Sequence, residues 1–392
     1  MNARLAVPLA YAGIVSSYVD PVDGSTYPLG EPRWRSDAGR PLWIELGSGL
    51  GRNDIDTSAH SLWRYRAALP VEIASPITLG EGCTPLIEPS FAGGTPLFKA
   101  DWMNPTGSFK DRGTSVMLSY LRDRGIRSIL EDSSGNGGSS VAGYAAAGGL
   151  EATIFAPEAT SAAKLAQVQA YGARLELVPG AREQSQNAAI AASGDTAFYA
   201  SHNWQAFFLQ GTKSLAYELW EDLGFRAPDN VIVPVGAGSS LLGCFIGFRE
   251  LLGAGQITRM PRLYAAQPVN CSPVDASFTA GVDVPVERPV APTIAEGTAI
   301  AHPLRLAQMI RALRETGGAT IALAEAEISR ALADLCSQGL FVEPTSATAA
   351  AAYSRLLSSG AIAPAETTVV LLTGAGLKAA EPVRDIVSAV RS

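Results

Sequence analysis

From residue 84 onward the chain alternates short apolar runs with longer stretches of helical periodicity. Ser128 to Glu131, Ala152 to Ala156, Arg174 to Val178, Val231 to Val235, Arg262 to Gln267 and Thr367 to Leu372 read as strands, and Ser139 to Gly148, Ser161 to Tyr171 and Leu241 to Leu252 as helices. The apolar run Pro96 to Phe98 likewise precedes a helical pattern from Thr114 to Arg122. Strands that alternate with helices of this length form parallel sheets, because each parallel pair needs a right-handed crossover connection. A length of 392 residues exceeds one ordinary core, so the expected fold class is α/β with two parallel-sheet domains. Residues 16 to 60 depart from this pattern. They are rich in Gly, Pro, Asp and Ser, with Trp34 and Trp43, and predict a small irregular or short-stranded N-terminal segment.

In open α/β sheets, ligands collect beyond the carboxyl ends of the strands, so the loops there should carry the chemistry. Four such loops stand out. In the first, Asn-Pro-Thr-Gly-Ser-Phe-Lys-Asp-Arg-Gly at 104 to 113, Lys110 sits where a strand hands over to a helix, which offers its amine to a cleft. The second, Asp132-Ser-Ser-Gly-Asn-Gly-Gly-Ser-Ser140, places Asn136 beside Ser133, Ser134 and Gly135. Its hydroxyls and N–H groups can hold a carboxylate and its amide an oxygen substituent, although an Asx turn with a helix cap uses the same residues. The third opens a helix after a valine and isoleucine strand, and its Gly236, Ala237, Gly238, Ser239 and Ser240 aim free N–H groups at an anion. A tight turn needs the glycines but not the run of hydroxyls. Leu241 stands where a dinucleotide fingerprint would have its third glycine, and no Lys-Ser or Lys-Thr follows as in a P-loop, so a single phosphate fits best. The fourth offers the hydroxyl of Thr373 at a strand end, within reach of a heterocyclic nitrogen. A lysine, a phosphate cradle, an asparagine and a hydroxyl at four strand ends are the parts that hold pyridoxal phosphate as a Schiff base.

Composition narrows the setting. Apolar residues make up 47% of the chain and charged residues 17%, so much surface is expected between layers or at a subunit contact, as in a homo-oligomer. A formal charge of −7 and the lack of basic runs with interleaved aromatics exclude a non-specific nucleic-acid grip. Cys83, Cys244, Cys271 and Cys336 are isolated, without metal-ligand spacing, and read as buried thiols in a reducing compartment. Arg4 followed by the apolar stretch Leu5 to Val15 has the outline of a signal peptide. Pro8 interrupts that stretch and its charged region is thin, so the expected location is cytoplasmic, and no run approaches the length of a membrane span.

The motifs S-F-K-D-R-G at 108 to 113, G-E-G-C-T-P-L at 80 to 86, S-S-G-N-G-G at 133 to 138, P-V-G-A-G at 234 to 238, E-P-T-S-A at 343 to 347 and T-G-A-G-L-K at 373 to 378 resemble threonine synthase in order and spacing. The resemblance runs from about residue 62 to the end and implies a two-domain enzyme of the tryptophan-synthase β-chain type. A small mobile domain, 112 to 215, would be set into a large cofactor domain, 62 to 111 and 216 to 392, with the cleft between them and a metal-free leader at 1 to 61. It implies that Lys110 is the Schiff-base lysine, that Asn136 meets the cofactor's phenolic oxygen, that residues 236 to 240 hold its phosphate, and that Thr373 meets its ring nitrogen. Ser108, Arg112, Ser133, Ser134 and Gly135 are then candidates for the substrate, a small phosphorylated amino acid, and a homodimer is expected. For Arg112 a structural ion pair with Asp111 or another carboxylate is an equal alternative. His202 is expected in a buried contact between domains, the Glu296-Gly-Thr loop is expected to face the cofactor ring, and Glu343 reads as a helix-proximal carboxylate. The chain departs from the family at Ala375 and Ala379, where threonine synthases usually carry His and Asp, and residues 16 to 60 hold no cysteine for a zinc ribbon. A β-replacement enzyme such as cysteate synthase, a serine/threonine dehydratase, and a catalytically silent protein of the same fold share most of these residues.

Overall fold

The structure, a computed structural model, describes residues 16–160 and 162–391. The signal-like stretch Leu5 to Val15 lies outside the described residues. The N-terminal segment forms a small antiparallel sheet from β1 (Ser17–Val19), β2 (Thr26–Pro28) and β3 (Trp43–Ile44), in the order β2-β1-β3. It braces the helix that begins at Lys110: the buried Tyr18 hydroxyl donates to Tyr120 at 2.9 Å, and Tyr120 donates to the Leu29 carbonyl at 2.8 Å.

Two sheets carry the rest. One has six strands, formed by β4 (Leu86–Ile87) and β5 (Leu97–Lys99) together with four strands from the second half of the chain. The other has four, formed by β6 (Ser128–Glu131), β7 (Glu151–Pro157), β8 (Arg174–Val178) and β9 (Phe198–Tyr199) in the order β8-β7-β6-β9, all parallel. The six-stranded sheet is completed by β10 (Asn230–Pro234), β11 (Arg262–Pro268), β12 (Ala319–Leu323) and β13 (Thr368–Leu371), in the order β12-β11-β10-β13-β5-β4. Only β4, at the edge, runs antiparallel. Helices cover both faces, which is why β10 and β13 are buried along their whole length and read as continuous apolar runs rather than alternating ones. No helix among the described residues is long and apolar enough to cross a membrane.

Candidate active site

The pairing of β5 with β13 sets Leu97 opposite Val369 and Lys99 opposite Leu371, so the loops leaving these strands start side by side. They then pair with each other. The Phe109 N–H donates to the Thr373 carbonyl at 2.9 Å, the Ala375 N–H donates to the Gly107 carbonyl at 3.0 Å, and Ser108 bridges Gly374. This pairing fixes Lys110 as the first residue of the helix Lys110–Asp123. Its amine lies 4.5 Å from the centre of the Phe109 ring and 5.8 Å from that of Phe208. Burial lowers the amine to about 8, against the opposing pull of the Glu131 carboxylate. At neutral pH more of this amine is therefore free base than of an ordinary lysine.

Three further elements converge there. Asn136 starts the helix Asn136–Gly148, and its amide donates to the Glu343 carboxylate at 3.2 and 3.1 Å. Glu343 caps the helix Pro344–Ser358 and is buried, which raises its carboxyl against the Asn136 hydrogen bond. Ser346 accepts from the Thr373 and Gly374 N–H groups at 2.9 and 3.0 Å and lies 3.2 Å from the Thr373 hydroxyl, which it orients. The glycine loop after β10 reaches the same helix through Gly297, whose N–H donates to the Thr345 hydroxyl at 3.0 Å and whose carbonyl lies 2.9 Å from where a Gly236 Cβ would sit. The Glu296–Thr298 turn therefore closes one side of that loop. Ser133, Ser134 and Gly135 lead into Asn136, and the Ser133 hydroxyl accepts from the Gly135 N–H at 3.3 Å.

Arg112 points elsewhere. Its Nε donates to Asp101 at 2.9 Å, one terminal nitrogen to Glu218 at 2.8 Å, and the other to Asp101, Glu218 and Thr84 at 2.8, 2.9 and 3.1 Å. It is 1% exposed, so no donor of the fork is left for a substrate phosphate, and the candidate substrate role of Arg112 is corrected to that of a structural ion pair. Of the alternative partners, Asp111 or another carboxylate, the structure shows the latter, Asp101 and Glu218. Asp111 instead accepts from the Thr106 N–H and hydroxyl at 2.7 and 2.6 Å and from Ser140 at 2.6 Å, tying the loop of Lys110 to the helix of Asn136. Burial pushes its carboxyl up to about 6 against those bonds. His202 is buried, but its carboxylate partner, Glu131, belongs to the same four-stranded unit rather than to the other domain.

Glu343, Ser346 and Glu131 were missed as site residues by sequence reasoning. Ser346 lies inside a motif quoted for the family but follows a proline that reads as a helix start, and a Glu at a strand end carries no signal of its own. Only their spatial convergence on Lys110, Thr373 and Asn136 marks them.

A family model described as "Pyridoxal-phosphate dependent enzyme" matches residues 77–374. The chain belongs to this family. Its cofactor is pyridoxal phosphate and it is an enzyme of the lyase type. Among its relatives, the threonine synthase of Methanocaldococcus jannaschii is 31% identical over 91% of this chain and 91% of its own, and that of Mycobacterium leprae is 32% identical over 82% and 91%. Among solved structures, a processed threonine deaminase isoform from Solanum lycopersicum superposes with a TM-score of 0.70 at 20% identity, over 89% of this chain and 97% of that one. A fungal L-serine ammonia-lyase from Rhizomucor miehei gives 0.68 at 23%, over 78% and 98%. These two share the fold.

The residues present fit the cofactor. The hydroxyls of Ser108 and Ser240 are buried and have no hydrogen-bond partner among the described residues, although burying an unsatisfied hydroxyl is unfavourable, so both are free to serve a bound group. Gly238 has a φ of +84° and starts the helix Ser239–Gly253, whose N-terminal N–H groups suit a phosphate. A Cβ at Gly238 would stand 2.0 Å from the Met309 sulfur. Gly238→Ala therefore meets both a strained backbone and a clash, and is expected to weaken cofactor binding at least about tenfold, corresponding to about 1.4 kcal/mol. Spectrophotometric titration of the apoprotein with pyridoxal phosphate checks this.

Proposed function

We propose that the chain is a threonine synthase, converting O-phosphohomoserine and water to threonine and phosphate. The observation that carries this reading is its similarity to threonine synthases along nearly the whole chain, 31% identical over 91% of both chains in the M. jannaschii case. When bound, the cofactor supplies an electron sink beside the substrate amine. Lys110 would hold the cofactor and, once freed, would take protons from the substrate's α and β carbons, delivering one to the γ carbon that phosphate leaves and one back to the α carbon, while water adds its hydroxyl at the β carbon. An amine lowered to about 8 suits both directions of transfer near neutrality. Asn136 would meet the ring oxygen, Gly236 to Ser240 would take the cofactor phosphate, and Thr373, oriented by Ser346, would meet the ring nitrogen. A neutral hydroxyl there cannot enforce protonation of the ring as a carboxylate would, which leaves more of the proton traffic to Lys110. Ser108, Ser133, Ser134 and Gly135 receive the substrate, and closure of the 112 to 215 unit, which carries the last three, against the rest of the chain excludes water from the reacting atoms. A homodimer in the cytoplasm belongs to this reading, the 17% share of charged residues in the chain supporting a subunit contact.

A dehydratase or a β-replacement enzyme is the second reading. It is favoured by the solved neighbours that act on serine and threonine, and by Ala375 and Ala379, where the chain lacks groups that threonine synthases usually carry. The purified enzyme is to be mixed in parallel with O-phosphohomoserine, with O-phosphoserine plus sulfite, and with L-threonine. Phosphate released together with threonine in the first mixture is the expected result. Cysteate from the second mixture, or 2-oxobutanoate from the third alone, replaces this reading with the corresponding alternative.

A further inference from the structure

Glu131 closes β6 with its carboxyl turned inward and wholly buried. One oxygen accepts from the Asp132 N–H at 3.0 Å and lies 3.0 Å from His202 Nδ1, and the other accepts from the His202 N–H at 3.1 Å. The His202 ring packs against Phe208, with centroids 5.6 Å apart, and its Cε1 lies 2.6 Å from the position a Gly137 Cβ would take. Phe208 is the ring that also stands 5.8 Å from the Lys110 amine. A continuous packed path thus runs from Glu131 through His202 to both the asparagine loop and the neighbourhood of Lys110. None of it is used by the chemistry described above.

We propose that the Glu131–His202 pair positions and tunes Lys110, the buried carboxyl setting by its charge how readily the Lys110 amine gives up a proton while the imidazole holds the 133 to 138 loop in place. The inference rests on Lys110 being the lysine that holds the cofactor. Among charged neighbours Glu131 acts most strongly on Lys110, followed by Arg182 and Glu343. Glu131 is itself faced by Arg182 and Lys110, and His202 by Lys110, Arg182 and Asp132. Asp132 lies 3.8 Å from Arg182 and accepts from the Tyr199 and Ser201 hydroxyls at 2.9 and 2.8 Å. Burial pushes Glu131 up to about 7, against the His202 and Asp132 N–H groups. Burial and the nearby cations of Lys110 and Arg182 keep His202 well below its ordinary value, hence neutral. An ionised Glu131 stabilises the proton on Lys110 and a protonated one releases it, so carboxyl and amine titrate as a coupled pair.

The test is a pH titration of the visible absorbance of the holoenzyme, from about pH 5 to about pH 10, in the wild type, Glu131→Gln and Glu131→Asp. The wild type is expected to change in two steps, one of them near neutrality. Glu131→Gln is expected to lose the neutral step and to move the remaining midpoint down by about one pH unit, whereas Glu131→Asp keeps both steps even where its thermal midpoint falls. An unchanged titration in Glu131→Gln, or the same change in both variants, overturns the inference. Where Glu131→Gln does not fold, the wild-type curve decides, and a single step overturns the inference. A cofactor band that persists in Lys110→Ala overturns the role of Lys110 and this inference together. An unchanged Glu131→Gln titration with that band lost overturns this inference alone.

Discussion

Lys110→Ala is expected to abolish the absorbance band near about 410 nm and to lower the rate of product formation by roughly 10³-fold or more. Under the role proposed for Lys110, two losses combine in this variant. The cofactor is no longer held covalently, and the group that moves protons at the reacting carbons disappears, a role worth about 10² to 10⁴ in rate by itself. The fold should survive, because the amine's contacts with the Phe109 and Phe208 rings are worth only on the order of 1 kcal/mol each and Lys110 is only partly buried. A thermal midpoint close to that of the wild type separates chemistry from folding. Borohydride reduction of the wild type followed by peptide mass analysis should place the modification on Lys110. Lys378 is the useful control, since it is the other amine in this region and donates to Gln167 at 2.7 Å. Lys378→Ala should keep the band. A band retained in Lys110→Ala and lost in Lys378→Ala sinks the assignment of Lys110.

The parts of the molecule that could be read from sequence share a physical cause. Strands such as β6 and β10 are short β-branched or apolar runs closed by turn residues, and the helix Ser239–Gly253 follows a glycine loop, so period and punctuation agree. Between 306 and 358 the helix Leu306–Glu315 has a clear apolar face, Leu306, Met309, Ile310 and Leu313, but the elements after it are harder to read. β12 is Ala-Thr-Ile-Ala-Leu, and the helix Pro344–Ser358 has alanines at most of its central positions, which pack tightly without producing an amphipathic stripe. The two-residue strands β4 and β9 exist only through their partners, Lys99 and Phe98 for one and Ile129 and Leu130 for the other. At the site, loops with unusual composition announced themselves, while residues whose importance lies in what they face did not. Glu343 meets Asn136 across 207 positions of sequence, and Glu131 meets His202 across 71. No local pattern encodes such pairs.

Arg112 shows the same limit from the other side, since its neighbourhood to Lys110 in sequence suggested a substrate contact that its environment does not allow. Replacing it by alanine is expected to destabilise the protein by about 3 to 5 kcal/mol. The magnitude follows from what remains. Asp101 and Glu218 would stay buried, with only Lys99, 2.6 Å from Glu218, to offset two carboxylates. Burial alone would raise Glu218, yet Arg112 and Lys99 outweigh it and hold the carboxyl well below the usual range. A carboxyl whose folded-state value is depressed contributes stability above its unfolded value of about 4.5, and that stability is lost as the pH falls towards the folded value. The wild type should therefore lose this contribution only in strong acid, whereas Arg112→Ala should already be weakened at neutral pH. Glu218 also accepts from the Cys83 and Thr84 N–H groups at 2.8 Å, so its release frees the 80 to 86 loop from the helix Ser214–Asp222. Arg112→Lys keeps the charge but not the fork that spans two carboxylates, and should recover part of the loss. Arg112→Met combined with Asp101→Asn and Glu218→Gln removes these three charges together, leaves Lys99 paired with Asp222 at 2.8 Å, and should recover more than Arg112→Ala retains, because the cost lies in unpaired buried charge rather than in the missing side chain. Urea midpoints of the four proteins order these effects. If Arg112→Ala instead keeps the wild-type midpoint and raises KM for the phosphorylated substrate, the guanidinium serves the ligand and the structural assignment fails.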